Sequence, residues 1–89
     1  MRLVLYHMEQ CVFCKHFKRM FDRDVHGGQD ILLSGHEDPR WVEMDLNFVP
    51  TVIAYDGDGN EISRLEAVKL VGIRKGPWTR WLSELGMNG

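Results

Sequence analysis

The only two cysteines of this chain lie close together near its N-terminus. They form a single Cys-x-x-Cys pair, Cys11 and Cys14, a few residues after an apolar run that predicts a strand over Arg2–Tyr6. From about Cys11 to Val25, apolar side chains recur at three- and four-residue steps, which predicts an amphipathic helix that Gly27 ends. A bond between residues three apart closes almost no loop and adds little stability. The pair therefore indicates redox chemistry or metal binding.

Composition limits the size and the class of the protein. The 89 residues are enough for one domain, 1–89, and 44% of them are hydrophobic, as is usual for a globular chain. The net charge is −2 and no basic block is present, so nucleic acid is not expected as a partner. The apolar runs are too short for a membrane span or a signal peptide. We expect a cytoplasmic protein.

The second half of the chain predicts a hairpin and a final helix. A β-prone strand over Thr51–Tyr55 is followed by a turn-forming cluster and a returning edge strand from Glu61 to about Ala67. The last helix is predicted to open at Pro77 and close at Gly86. Its apolar face is assigned to the core and consists of Trp78, Trp81, Leu82 and Leu85.

The middle of the chain allows two interpretations. In the first, Gln29–Ser34 is a buried strand and Asp38 caps a helix that Asn47 stops after about Leu46. In the second, the alternating residues of Trp41–Leu46 form the strand, which leaves a long structureless loop before it. We favour the first. The resulting order, β-α-β-α-β-β-α, predicts an α/β sandwich with a mixed four-stranded sheet and helices on both faces.

The placement of the cysteine pair favours redox chemistry over a metal. At the start of a helix, unpaired backbone N–H groups and the macrodipole stabilise a thiolate, so Cys11 is the expected nucleophile. Cys14 lies one turn further in, where it can attack a mixed disulfide on Cys11. A zinc site usually has four ligands in two clustered pairs, and the four histidines show no paired spacing. A metal-binding module remains the alternative from another class.

A second motif, Val49-Pro50-Thr51, opens the predicted central strand. On its own it is most simply an ordinary trans proline. Together with the cysteine motif, however, it resembles the thioredoxin superfamily over residues 2–67, and most of all the glutaredoxins and small glutaredoxin-like redoxins. The resemblance implies a thioredoxin-like sandwich in which Cys11 is the nucleophile, Cys14 is the resolving thiol and Pro50 is a cis-proline against the active site.

The resemblance also implies where a substrate binds. An apolar rim around Cys11 would receive an extended segment of the partner protein, with Phe48 beside the expected substrate-binding residues Val12, Phe13, Val49, Pro50 and Thr51. The lysine that often precedes the first cysteine in glutaredoxins is absent. Glu9 would oppose a thiolate there, and the cations that could offset it, Lys15 and His7, are expected to be solvated. The glutathione-gripping Gly-Gly-x-Asp segment has no match near Val71.

The expected function is that of a monomeric thiol–disulfide oxidoreductase that reduces protein disulfides. It would need no metal or organic cofactor, and a reductase or glutathione would restore the Cys11–Cys14 dithiol. One alternative is a glutathione-dependent glutaredoxin. A second is a metal or iron–sulfur binding module that uses Cys11 and Cys14, and a third is an adaptor that keeps the fold without the chemistry.

Overall fold

The computed structural model describes residues 1–87, and its elements follow the predicted order. The chain forms a four-stranded mixed sheet with three helices. In chain order the elements are β1 (Arg2–Met8), α1 (Val12–Asp24), β2 (Gln29–Leu33), α2 (Arg40–Glu43), β3 (Thr51–Tyr55), β4 (Glu61–Glu66) and α3 (Lys75–Glu84). The order β-α-β-α-β-β-α is therefore confirmed, and the alternative strand over Trp41–Leu46 is wrong.

The sheet has the strand order β2-β1-β3-β4, and its register gathers several chain segments at one end. β1 runs parallel to β2 and antiparallel to β3, where Tyr6 pairs with Thr51. β3 is antiparallel to β4, and there Thr51 pairs with Glu66. The C-terminal ends of β1 and β4 thus lie beside the start of β3. Since α1 begins four residues after β1, its N-terminus lies at the same end.

Two hydrophobic clusters cover the two faces of the sheet. The first packs α1 and α3 on one face and includes Leu5, Phe17, Phe21, Val52, Trp78, Trp81 and Leu82. The second packs the α2 region on the other face and includes Val4, Tyr6, Leu33, Leu46 and Ile53. Helices therefore cover both faces, as predicted. The core assignment of Trp78 and Trp81 is also confirmed, because they are 0% and 6% exposed.

α2 is much shorter than predicted, and it ends earlier than Asn47. The backbone turns at Asp45, which has a left-handed φ of 52°. The Leu46 amide donates to the Trp41 carbonyl at 2.8 Å, which closes the helix in a Schellman-type turn. Leu46 then enters the second cluster, so burial of this side chain makes the chain leave the helix there. Asp38 caps the segment by accepting from the Arg40 amide at 2.9 Å, although Pro39 holds the formal N-cap position.

α3 begins at Lys75, two residues before the predicted start at Pro77. The first four N–H groups of a helix have no partner within it, so a proline in the first turn loses no helical hydrogen bond. The helix ends as predicted, since Gly86 has a φ of 80° and its amide donates to the Ser83 carbonyl. Within residues 1–87, no helix is long and apolar enough to cross a membrane.

Candidate redox site

Cys11 and Cys14 lie where β1 gives way to α1. Cys11 is the N-cap of α1, with an extended backbone at φ −141° and ψ 108°. Its Sγ accepts a hydrogen bond from the Cys14 amide at 3.1 Å. This amide is one of the helix N-terminal donors that have no carbonyl partner within the helix. Because it points at sulfur, it would stabilise a thiolate on Cys11 once the pair is reduced.

The two sulfurs are joined in a disulfide, but they differ in exposure. Cys11 is partly exposed, whereas Cys14 is 1% exposed. Cys14 lies on the buried stripe of α1 with Phe17 and Phe21, so its side chain points toward the sheet. An external molecule can therefore approach Cys11, while Cys14 is reached only from Cys11.

The Val49–Pro50–Thr51 segment lies against this pair. The Val49–Pro50 peptide bond is cis, as the resemblance implies. The Val49 carbonyl oxygen is 4.0 Å from the Cys11 Sγ, and both Pro50 and Thr51 are fully buried. The Thr51 hydroxyl donates to the Phe48 carbonyl at 2.6 Å and so fixes the turn before β3. The structure thus brings together the two motifs that are 38 residues apart in sequence.

Apolar side chains beside Cys11 reach solvent. Val12 is 79% exposed, and Phe13 and Phe48 are about half as exposed. The predicted rim is present for these three residues. Val49 differs, because it is only partly exposed and packs against the second cluster. The side chains of Pro50 and Thr51 are buried, so these two residues contribute only their backbone to the surface beside Cys11.

The loop that follows β4 also borders the site, although none of its residues was among the predicted site residues. A Cβ atom on Gly72 would lie 2.8 Å from the Phe13 ring, so this loop packs directly against the cysteine motif. It presents Leu70, which is 83% exposed and has a left-handed φ of 63°. Next to it lies an apolar cavity of about 370 Å³, lined by residues that include Leu65, Val71, Ile73 and Pro77. The sequence signal for this loop was a glycine within an apolar run, Leu70-Val71-Gly72-Ile73.

The charged and titratable residues near the cysteine pair differ in their exposure to solvent. Glu9 and Lys15 are exposed, as expected. The expectation that His7 is solvated is wrong, because it is 9% exposed and its Nε2 lies 2.8 Å from the Asp30 Oδ2. The reason is the parallel pairing of β1 with β2, which places Asp30 beside Leu5 on the same face as His7. Sequence alone does not give this register.

No cluster of three or more His, Cys, Asp or Glu residues is placed to hold a metal ion in the part of the chain that the structure describes, residues 1–87. Comparison of the sequence with models of protein families and with curated proteins found no match.

Proposed function

We propose that this protein is a thiol–disulfide oxidoreductase with a thioredoxin-like fold, and that it reduces disulfides in other proteins. The observation that carries the proposal is the unequal environment of two bonded sulfurs at a helix N-terminus. Cys11 is open to an incoming molecule and accepts the Cys14 amide, while Cys14 is shielded behind it. Nucleophilic attack needs the first environment and intramolecular resolution needs the second.

The reaction proceeds in two exchange steps. The Cys11 thiolate attacks one sulfur of the substrate disulfide, and the other substrate sulfur leaves as a thiolate that takes a proton from water. The Cys14 thiolate then attacks the Cys11 Sγ and releases the second substrate sulfur. The products are a reduced substrate and the Cys11–Cys14 disulfide, so two electrons have passed to the substrate. An external dithiol reductase or glutathione must then return two electrons to the pair.

The surroundings of Cys11 suit an extended apolar segment of a protein substrate. The Val49 carbonyl lies beside the Cys11 sulfur, where it can accept a hydrogen bond from the backbone of a bound strand. Val12, Phe13 and Phe48 supply exposed apolar surface around it, and Leu70 is exposed in the loop after β4. A protein that acts as a reductant also needs a compartment that keeps its dithiol reduced, which supports the cytoplasm.

The test is reduction of insulin disulfides with each of two electron supplies, NADPH with thioredoxin reductase and NADPH with glutathione and glutathione reductase. We expect turnover with the first supply, because the glutathione-gripping segment has no match in this chain. Turnover with glutathione alone would make the protein a glutathione-dependent glutaredoxin. Cys11→Ser is the matched inactive control, since it changes one sulfur to oxygen and leaves the fold intact.

Two further outcomes would overturn the proposal. Absence of turnover with both supplies and with dithiothreitol would show that the fold is kept without the chemistry. A stoichiometric metal or a visible iron–sulfur spectrum in protein purified without oxygen, lost in Cys11→Ser, would assign the cysteines to metal binding.

A further inference from the structure

The chain between α2 and β3, residues 44–50, brings Val49 to the redox site. After Leu46 this segment is poorly tied by its own backbone, because no backbone hydrogen bond within residues 1–87 uses an amide of residues 47–49. Leu46 and Val49 pack into the second cluster, which keeps the segment on the sheet. Apolar burial is not directional, however, so hydrogen bonds from other residues must set the direction of this backbone.

Arg64 on β4 holds the start of the segment. Its Nη2 donates to the Met44 carbonyl and its Nη1 to the Asp45 carbonyl, both at 2.9 Å. Within residues 1–87 no backbone amide donates to either carbonyl. The guanidinium is itself fixed by Glu61, to which its Nε and Nη2 donate at 2.8 and 2.7 Å. A guanidinium can bind two carbonyls and a carboxylate at once because it carries five donors in a rigid plane.

The same strand holds the rest of the segment. The Asn47 Nδ2 donates to the Glu66 Oε1 at 3.3 Å, and the Ala67 amide donates to the Pro50 carbonyl at 3.0 Å. Arg64 and Glu66 are two residues apart on β4, so their side chains share one face of the sheet. The anchors on β4 therefore follow one another in the same order as the residues of the segment that they bind.

The far end of the segment lies beside the reactive sulfur. The Val49 carbonyl oxygen is 4.0 Å from the Cys11 Sγ, and the Thr51 hydroxyl donates to the Phe48 carbonyl at 2.6 Å. In so short a segment, the direction in which a carbonyl points depends on how both ends of the segment are held. Arg64 holds the start and Thr51 holds the end, so together they set the direction of the Val49 carbonyl.

We propose that Arg64 is a positioning residue for the docking of protein substrates. By holding the carbonyls of Met44 and Asp45, it orients the Val49 carbonyl that receives the backbone of a bound strand beside Cys11. This inference rests on the proposed function. Because Arg64 acts through the segment, it should affect a protein substrate that docks on Val49. A small disulfide that meets only the Cys11 sulfur should react independently of Arg64.

Reaction of the reduced protein with two disulfides of different size tests the proposal. Arg64→Gln should raise the insulin concentration that gives half the maximal rate of reduction by about 10-fold, within the range for a residue that acts on a site without touching the ligand. The maximal rate should stay nearly unchanged, as expected when only binding is lost. The rate constant with dithiobis(nitrobenzoate), followed by the colour of the released thiolate, should equal that of the wild type.

Three further variants separate positioning from a structural effect. A merely structural role would reduce the amount of folded protein and slow the reactions with both disulfides equally. Arg64→Lys keeps the charge but donates from a single nitrogen, so it should recover part of the affinity for insulin. Asn47→Ala removes only the longer bond to Glu66 and should raise the half-saturating insulin concentration by a smaller factor. Arg80→Gln, at an exposed arginine of α3, is the matched control and should change neither reaction.

Each outcome decides the question. An unchanged half-saturating concentration of insulin in Arg64→Gln, or an equal loss of rate with both disulfides, would overturn the positioning role and leave the proposed function intact. If Arg64→Gln does not fold, Arg64→Lys and Asn47→Ala decide instead, and wild-type behaviour of both would overturn the role. Absence of insulin reduction by the wild-type protein would overturn the proposed function itself.

Discussion

The difference in solvent exposure between the sulfurs of Cys11 and Cys14 leads to a prediction about single substitutions. Cys11 is partly exposed and accepts the Cys14 amide, whereas Cys14 is 1% exposed. Cys14→Ser should therefore keep a reactive thiol on Cys11 and accumulate a mixed disulfide with the substrate, because no second thiol can release it. Cys11→Ser should neither turn over nor trap. Non-reducing gels of protein–substrate mixtures report the trapping.

Alkylation rates against pH provide the complementary measurement. The Cys14→Ser variant should react with iodoacetamide at lower pH than free cysteine does, because the N-terminus of α1 stabilises its thiolate. The Cys11→Ser variant should react slowly, because its remaining thiol is shielded. Faster alkylation of Cys14 than of Cys11, or trapping of substrate by Cys11→Ser, would reverse the assigned roles.

Whether the environment of a residue can be predicted from the sequence depends on how local the signal is. The placement of Cys11 and Cys14 at the start of α1 and the apolar stripe of α3 that contains Trp78 each depend on neighbouring residues of a single helix, so the sequence predicts them correctly. The burial of His7 depends on the pairing of β1 with β2, two strands separated by the whole of α1. The close approach of Gly72 to Phe13 likewise joins segments distant in sequence, so the apolar residues around Gly72 do not identify Phe13 as its neighbour.

Among the structural elements, the loop between β4 and α3 can be tested through Gly72. Its φ is 81°, and an added Cβ would lie 2.8 Å from the Phe13 ring. Gly72→Ala should therefore lower the free energy of unfolding by roughly 1–3 kcal/mol, the usual cost of a non-glycine residue in this conformation. It should also slow insulin reduction, because Phe13 must move beside Cys11.

Gly57→Ala is the matched control for Gly72→Ala. Gly57 lies in the β3–β4 turn, and an added Cβ there would meet nothing within 4 Å. This variant should keep wild-type stability and activity in urea unfolding and in the insulin assay. Equal stability of the Gly72 and Gly57 variants would show that the loop does not depend on its close approach to Phe13.

The buried carboxylate of Asp38, just before α2, should make the stability of the fold depend on pH. The side chain of Asp38 is 2% exposed and accepts hydrogen bonds from the Ser34 amide and from both the guanidinium and the amide of Arg40. The Arg40 guanidinium and then these amides hold the pKa of Asp38 well below its usual range. A depressed carboxylate pKa stabilises the fold above the unfolded-state value and loses this contribution as the pH falls toward the folded-state value.

Asp38→Asn should therefore lower Tm at pH 7, and its difference from the wild type should narrow below about pH 4, where the unfolded-state carboxyl titrates. Thermal unfolding followed by circular dichroism from pH 7 to acid checks this. Asp58→Asn, at an exposed carboxylate of the β3–β4 turn, is the control and should follow the wild type across the range. A Tm difference for Asp38→Asn that is constant with pH would contradict the electrostatic explanation.

The same junction shows why element lengths were harder to predict than element order. Asp38 was correctly identified as a helix start signal, and it does accept from the Arg40 amide. The stop was misplaced because Leu46 is buried in the cluster on the second face of the sheet, so that α2 ends at Glu43 and the chain turns at Asp45. Tertiary burial therefore overrides a local stop signal. The order of strands and helices was predicted correctly because it depends on periodicity over longer segments.

The two hydrophobic clusters lie on opposite faces of one sheet, and we expect them to unfold together. β1 and β3 contribute alternate side chains to both clusters, so neither cluster can lose its strands without exposing the other. We expect a single cooperative transition, as is usual for a chain of this size. Circular dichroism of the backbone and tryptophan fluorescence should give superimposable urea curves.

A matched pair of substitutions tests this coupling most directly. Ile53 is buried in the second cluster and Ile73 in the first, so Ile→Val deletes the same methylene on each side of the sheet. Each variant should lower the free energy of unfolding by roughly 0.5–1.5 kcal/mol and shift one common transition. Because the two residues belong to separate clusters, the double variant should lose the sum of the single effects to within about 0.5 kcal/mol. Two separate transitions in either variant would mean that the faces unfold independently, and the expectation of one folding unit over residues 1–89 would be wrong.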